Sequence, residues 1–465
     1  MKNLKKCTVF LFAVLILIPV LLFNREEGAM SAIDNRYLAE NPLTHSGEGT
    51  FSQRMEQYVS DRIGLRDRMI RTYTVLNDRL FHKMVHPIYS YGKDGMVFGE
   101  GVSVYREYTE FHEIFLNMVE SIYRYCQERD VPFLFVVNPA KPAVYPEYVK
   151  DSIDYNRDWF RELIDRLEER GIPYLDNTQT LLEAKNSGEA VFNWKYDANH
   201  WNDLGAYYGV NAILRRMQEQ CPHTPLIAPE ELHRGTRLET SLQASDFPIH
   251  EEVPEITLDS RILDFTDRYR GELELDPAYH GMGMMVNPDR LAEGAPRALV
   301  FQGSYLNHYG VKYFQHALGE YDYIHDYQNV IRFPYYFNLF RPEYVIFELA
   351  EYTFTENYFN MEEMDAISYN RPCAQVVSEA ESYRERLLEP EALHVEQGEV
   401  LTKLFWKTEE PVDSGWLLAD GAEYDLEAVE GGYTVTFPTD QTGEYLLVTV
   451  TDGDAVGYHL SESRN

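Results

Sequence analysis

Arg297–Gly310 reads RALVFQGSYLNHYG, an apolar run that stops at Gly303 and gives way at once to residues with helical spacing. A short continuous apolar run closed by a turn residue is the pattern of a strand buried on both faces. Passing straight from such a strand into a helix is the βα step of a parallel sheet. Ser304 then sits on the sharp turn between them, where its hydroxyl is exposed and the N–H groups of the helix start point toward a developing oxyanion.

The same texture extends outward on both sides. Upstream, helical EYTEFHEIFLNMVESIYRYCQERD leads into the apolar strand VPFLFVVN, followed by the helix DYNRDWFRELIDRLEERG, the strand IPYLD, helical TLLEAKN, the strand AVFNW and a helix after Trp201. Downstream come YDYIHDY and PEYVIFEL, both strand-like. This alternation predicts an α/β domain over residues 29–389, a flavodoxin-like parallel sheet with helices on both faces, interrupted by a less regular insertion at about 222–296. Phe51–Phe81 reads as one long amphipathic helix, and YSYGKDGMVFGE as a turn between short strands. From Pro390 the pattern changes to β-branched and aromatic runs separated by Gly, Asp and Pro. Residues 390–465 therefore read as a small all-β module, antiparallel and separable from the α/β core.

A nucleophilic serine needs a base, because its hydroxyl stays protonated at neutral pH, and triads are assembled from residues distant in sequence. Asn193–Gly209, NWKYDANHWNDLGAYYG, offers one: His200 as base, with Asp197 three residues earlier to hold its tautomer. Each residue also has a plainer reading. Asp197 is a possible helix cap, although Asn202 and Asp203 are better placed for capping, His200 a loop histidine, and Trp201 a core anchor. His308, one helical turn after Ser304, is a rival base. A metal site built from Asp197, His200 and His308 lacks the usual ligand spacing, so no metal and no cofactor is expected.

Composition narrows the partners. A formal charge of −34 over 465 residues argues against a nucleic-acid surface and against a substrate held as a polyanion. Cys126, Cys221 and Cys373 are too widely spaced for a disulfide framework or zinc ribbon. At the N-terminus Lys2, Lys5 and Lys6 precede an uninterrupted apolar run from Cys7 to Phe23, followed by Asn24 and Arg25 instead of a small-x-small cleavage site. Residues 1–28 therefore read as an uncleaved signal anchor, a single membrane-spanning helix with the bulk of the chain outside the cytoplasm; the alternative is a cleaved signal and a secreted protein.

Asp197-x-x-His200-Trp201 followed by NDLGAYYG resembles the signature of the DHHW family of SGNH-hydrolase-like proteins, which includes the alginate O-acetyltransferases. FSQRMEQYVSDRIGLRDRMI, YGKDGMVFGE, VVNPAKPAVYPEYV, the Ser304 stretch and RPEYVIFELAEYT are similar in order and spacing, so the resemblance spans roughly Tyr37 to Thr353. It departs in two places. The family's usual motif is Asp-x-His-Trp, with one residue fewer than here, and Gln302 stands where the serine motif usually has its first glycine.

The resemblance implies an SGNH-like fold and a Ser304–His200–Asp197 triad that transfers acetyl groups through an acetyl-serine to an exported or cell-surface polysaccharide. It also implies an acyl donor supplied by a membrane-bound O-acyltransferase. A carbohydrate acetyl esterase, or a non-catalytic polysaccharide-binding partner, is the alternative. Asn138, Lys141 and Tyr145 after the VPFLFVVN strand, Trp201 beside the histidine and Tyr305 beside the serine are the further candidates for substrate contact.

Overall fold

The computed structural model describes residues 2–26, 28–31, 36–45, 49–86, 88–99, 107–243, 247–388, 390–441 and 445–460. Its centre is a seven-stranded sheet in the order Tyr174–Asp176, Phe133–Asn138, Tyr344–Ala350, Arg297–Gln302, Glu320–His325, Met282–Val286, Leu263–Asp264. The first five strands are parallel. The last two pair antiparallel, so the sheet is mixed where the sequence predicts a parallel one. Met282–Val286 alone runs against the others, and both of these edge strands come from the insertion. Strands Phe133–Asn138 and Tyr344–Ala350 are buried at every residue, which is why they read as unbroken apolar runs.

The chain runs from Phe133–Asn138 outward to Tyr174–Asp176 and later resumes on the far side of Tyr344–Ala350, at Arg297–Gln302. That reversal opens a crevice at the carboxyl ends of the strands, where α/β sheets bind ligands. Ser304 lies there.

Four further expectations are corrected. AVFNW is an extended loop, not a strand. Phe51–Phe81 is two helices, Phe51–Arg62 and Arg66–Phe81, broken where Leu65 turns left-handed and Gly64 donates its N–H to the Pro19 carbonyl at 2.8 Å. The insertion is more regular than its sequence suggests, since His233–Ser241 and Pro248–Thr257 form a long antiparallel hairpin. Its strands are studded with Arg and Glu and largely exposed, so they carry no hydrophobic period. Finally, among the described residues no helix is long and apolar enough to cross a membrane. The N-terminal helix Lys2–Leu21 spends its first turns on lysines and stops two residues before Phe23. From Cys7 to Leu21 it rises only about 22 Å, against a hydrocarbon core of about 30 Å. The single-pass anchor read from the sequence is therefore not supported by this helix.

The C-terminal strands form a five-stranded and a four-stranded sheet. Strand Ser382–Leu388, ahead of Pro390, already belongs to the first of these and pairs parallel with Asp454–Leu460. One hydrophobic cluster joins this region to the α/β core: Tyr125, Phe333 and Phe337 on one side, Leu404, Trp406, Tyr424, Phe437 and Tyr458 on the other. Polar contacts cross the same seam. Arg332 donates to Glu427 at 2.5 Å, and the Glu272 carboxylate accepts from the N–H groups of Glu399, Val400 and Leu401.

Candidate active site

The loop ahead of the histidine is fixed by a carboxylate. Glu251, on the hairpin, accepts from three consecutive N–H groups, Trp194 at 2.6 Å, Lys195 at 2.9 Å and Tyr196 at 2.7 Å. Asp197 follows in a left-handed conformation (φ +47°), which aspartate tolerates better than most residues and which turns its side chain back toward His200. Asn202, not Asp197, caps helix Asp203–Gln218 by accepting from Gly205 N–H at 2.9 Å. Trp201 is fully buried against that helix, where a side chain at Gly209 would overlap its ring. The GAYYG spacing thus makes room for the tryptophan.

From the other side of the crevice comes Ser304. His200 Nδ1 lies 2.6 Å from Asp197 Oδ1, and His200 Nε2 lies 2.9 Å from Ser304 Oγ. The Tyr352 hydroxyl, beyond the central strand, is 3.1 Å from Ser304 Oγ. Burial alone would raise the Asp197 carboxyl, but His200, His308 and the Tyr309 hydroxyl outweigh it and hold the group below the usual aspartate range. Gln243, its amide nitrogen facing inward, donates to both Asp197 oxygens at 2.5 and 3.0 Å. His308 stacks on His200 with ring centres 4.7 Å apart, and burial together with the neighbouring His200 lowers its pKa. It flanks the base and makes no contact of its own with Ser304 among the hydrogen bonds described.

The serine turn is supported from below. Gln302, in the place of the family's glycine, is buried: Tyr321 donates to its carbonyl and its amide donates to Asn307 at 2.6 Å. Gly303 N–H donates to Glu348 at 2.8 Å, and Asn138 donates to the other Glu348 oxygen at 2.7 Å. A side chain at 303 would press on the Asp326 carboxylate at 3.2 Å, so glycine fits there. After Ser304 the helix opens with a π-turn, Leu306–Gly310, a deviation frequent at functional sites.

Five candidates for substrate contact lie elsewhere than the sequence suggests. Asn138, Lys141, Tyr145, Trp201 and Tyr305 are all buried. Lys141 donates to the carbonyls of Val97, Asn193 and Trp194, and burial lowers its pKa to about 7. Tyr145 packs on Phe192, and Tyr305 donates to Pro139 O at 2.8 Å while accepting the Trp201 indole N–H on its own carbonyl at 3.0 Å. They build the walls of the site and do not line its opening. The residues missed from sequence are Gln243, Glu251, Tyr309, Glu348 and Tyr352. Glu348 and Tyr352 carried a signal, both being part of RPEYVIFELAEYT, as did Tyr309 in the Ser304 stretch; Gln243 and Glu251 carried none.

Two expected outcomes arise here. Glu251→Ala leaves three backbone donors without their carboxylate, costing about 1.5–3 kcal/mol. It also loosens the residue next to Asp197, so turnover falls with Tm while Glu251→Gln recovers part of both; unchanged Tm and rate in Glu251→Ala would contradict this. The second concerns pH. Burial, then the Asp326 charge, pushes Glu348 up to about 8, and burial pushes Asp326 to about 6 against the pull of His325. His325 Nδ1 lies 3.2 Å from one Asp326 oxygen, and the other oxygen has no hydrogen-bond partner among the described residues. Both folded pKa values exceed those of an unfolded chain, so the native state holds protons that the unfolded state releases, and these groups lower stability as pH rises from about 4 to 8. Asp326→Asn is expected to flatten that decline and raise Tm at pH 8. Melting curves at pH 5, 6.5 and 8 check it, and an unchanged slope would contradict it.

Fold and hydrogen bonding define a class: an α/β protein with an aspartate–histidine–serine chain at the carboxyl ends of its parallel strands. Residues 91–248 match the family described as the SGNH hydrolase-like domain, acetyltransferase AlgX. The match carries the resemblance read from the sequence; this α/β domain is SGNH hydrolase-like, and the matched family is one of acetyltransferases. It includes Asp197 and His200 and ends before Ser304. No curated protein matches the chain in sequence. Among solved structures, the O-acetyltransferase domain of Pseudomonas putida AlgJ is 14% identical with TM-score 0.43, over 60% of this chain and 99% of that one. A DHHW family protein from Eubacterium siraeum is 13% identical with TM-score 0.41, over 60% and 98%. Pseudomonas aeruginosa AlgX is 13% identical with TM-score 0.39, over 81% and 90%.

Proposed function

We propose that this protein is an O-acetyltransferase that moves an acetyl group through Ser304 to hydroxyls of an exported or cell-surface polysaccharide. The observation that carries the reading is the continuous chain from Asp197 through His200 to Ser304, at 2.6 and 2.9 Å. Ser304 Oγ attacks the acetyl carbonyl carbon of the donor while its proton passes to His200 Nε2, and the imidazolium is stabilised by Asp197. The donor's leaving group departs with that proton, leaving acetyl-Ser304. A sugar hydroxyl then loses its proton to His200 and attacks the acetyl carbon, and Ser304 recovers the proton. The Tyr352 hydroxyl, close to Ser304 Oγ and driven far above its usual pKa chiefly by burial, stays protonated and is placed to donate to the oxyanion.

The reaction takes place outside the cytoplasm, a placement supported by the lysine-led apolar N-terminus. The donor is an acyl group handed on by a membrane-bound O-acyltransferase, a partner supported by the family resemblance. The test is turnover of p-nitrophenyl acetate with and without oligosaccharide. Acceleration by the acceptor, with acetylated sugar as product, is expected. Hydrolysis that no acceptor accelerates would point to an esterase, and silence from a folded protein would refute acyl chemistry.

A further inference from the structure

A groove of about 400 Å³ lies beside the triad, between the hairpin and the helix that follows Ser304. Its inner end is made by Gln243, His308 and Tyr309, the residues that touch Asp197 and His200. An acceptor strand that presents a hydroxyl to His200 along this groove meets a particular set of charges. Lys312 Nζ lies 2.6 Å from Asp203 and also donates to Ile256 O at 2.6 Å. Arg237 is bound by Glu239 at 2.6 Å and faces Glu255 at 3.9 Å. Two cations thus face three carboxylates, each cation is already engaged, and the whole chain carries a formal charge of −34.

Recognition of a polyanion requires a surplus of positive potential along its path, and like-charge juxtaposition costs several kcal/mol. A uronate or phosphate entering here would compete with existing carboxylates for both cations and add negative charge to an acidic surface. Sugar hydroxyls meet no such penalty. They can accept from the guanidinium, donate to the carboxylates, and lay a ring face on Tyr196.

We infer that the groove is the acceptor subsite and that it takes an uncharged glycan, excluding polyuronates. The inference rests on the proposed acetyl transfer for its biological meaning, but its test does not need that chemistry. Using the full-length Ser304→Ala protein, binding of neutral gluco- or manno-oligosaccharides and of oligouronates of the same length is measured by calorimetry at about 20 and 200 mM salt. Neutral oligosaccharides should bind at least tenfold tighter than oligouronates at low salt, with affinity nearly independent of salt. Tyr196→Ala should weaken the neutral ligand several-fold, and Glu255→Lys should narrow the preference. Equal or tighter oligouronate binding, or binding of neither, overturns the inference even where acetyl transfer is observed. Conversely, a wild-type protein that transfers no acetyl group but keeps the neutral preference refutes the proposed function and leaves this inference standing.

Discussion

Ser304→Ala is expected to lose acetyl transfer on the order of 10⁴-fold or more while melting at nearly the wild-type temperature. The serine hydroxyl is the atom that becomes acylated, and its removal leaves His200 with nothing to deprotonate. His200→Ala should lose about as much, because the Ser304 hydroxyl then keeps its proton at neutral pH. The double variant should be scarcely worse than either single one, since residues acting as a unit are grossly non-additive. Asp197 requires a different substitution. It is fully buried and receives His200, Tyr309 and Gln243, so Asp197→Ala would strand buried donors and confuse lost chemistry with lost structure. Asp197→Asn keeps the shape and changes the tautomer, and it should cost less than the loss of serine or histidine. Rates and melting curves recorded together check all four; near-normal transfer by folded Ser304→Ala would remove the nucleophile from the account.

Truncation after Leu388 should be the most damaging change to stability. It takes away the partners of strand Ser382–Leu388 and strips Leu404, Trp406, Tyr424, Phe437 and Tyr458 from the cluster they share with Tyr125, Phe333 and Phe337. Fully burying one large apolar side chain is worth about 1.5–3 kcal/mol, so exposing Tyr125, Phe333 and Phe337 together costs about 4.5–9 kcal/mol, comparable with the 5–15 kcal/mol that holds a typical domain together. The shortened chain is expected to be insoluble or to lack a cooperative melting transition. A soluble 1–388 protein with normal turnover would instead show the β region to be separable.

The strands that form the middle of the sheet were legible because both of their faces are buried, which leaves a continuous apolar run in the sequence. The serine turn and the DANHW loop were legible for a related reason, since each places a chemically distinctive residue next to a recognisable element boundary. The hairpin escaped notice because its strands are held by backbone pairing, with Arg237, Glu239, Glu251 and Glu255 among its side chains. That hairpin nevertheless supplies Glu251 and Gln243, which fix the loop around Asp197. Lys141 and Asn138 show the opposite error. A polar residue after a strand suggests solvent or substrate, yet here each satisfies buried partners: three carbonyls for Lys141, Glu348 and Asn177 for Asn138. Sequence reveals residue type and spacing, whereas the direction of a side chain depends on what closes over it.

The most direct measurement is the acetyl-enzyme itself. Wild-type protein mixed with an acetyl donor in the absence of acceptor, quenched in acid and digested, should yield a peptide carrying one acetyl group on Ser304, discharged when oligosaccharide is added before quenching. The account predicts that label on Ser304 and its absence from the Ser304→Ala and His200→Ala proteins. An acetyl group found on another residue, or acetyl transfer to sugar that proceeds at full rate without any labelled Ser304 peptide, would contradict it.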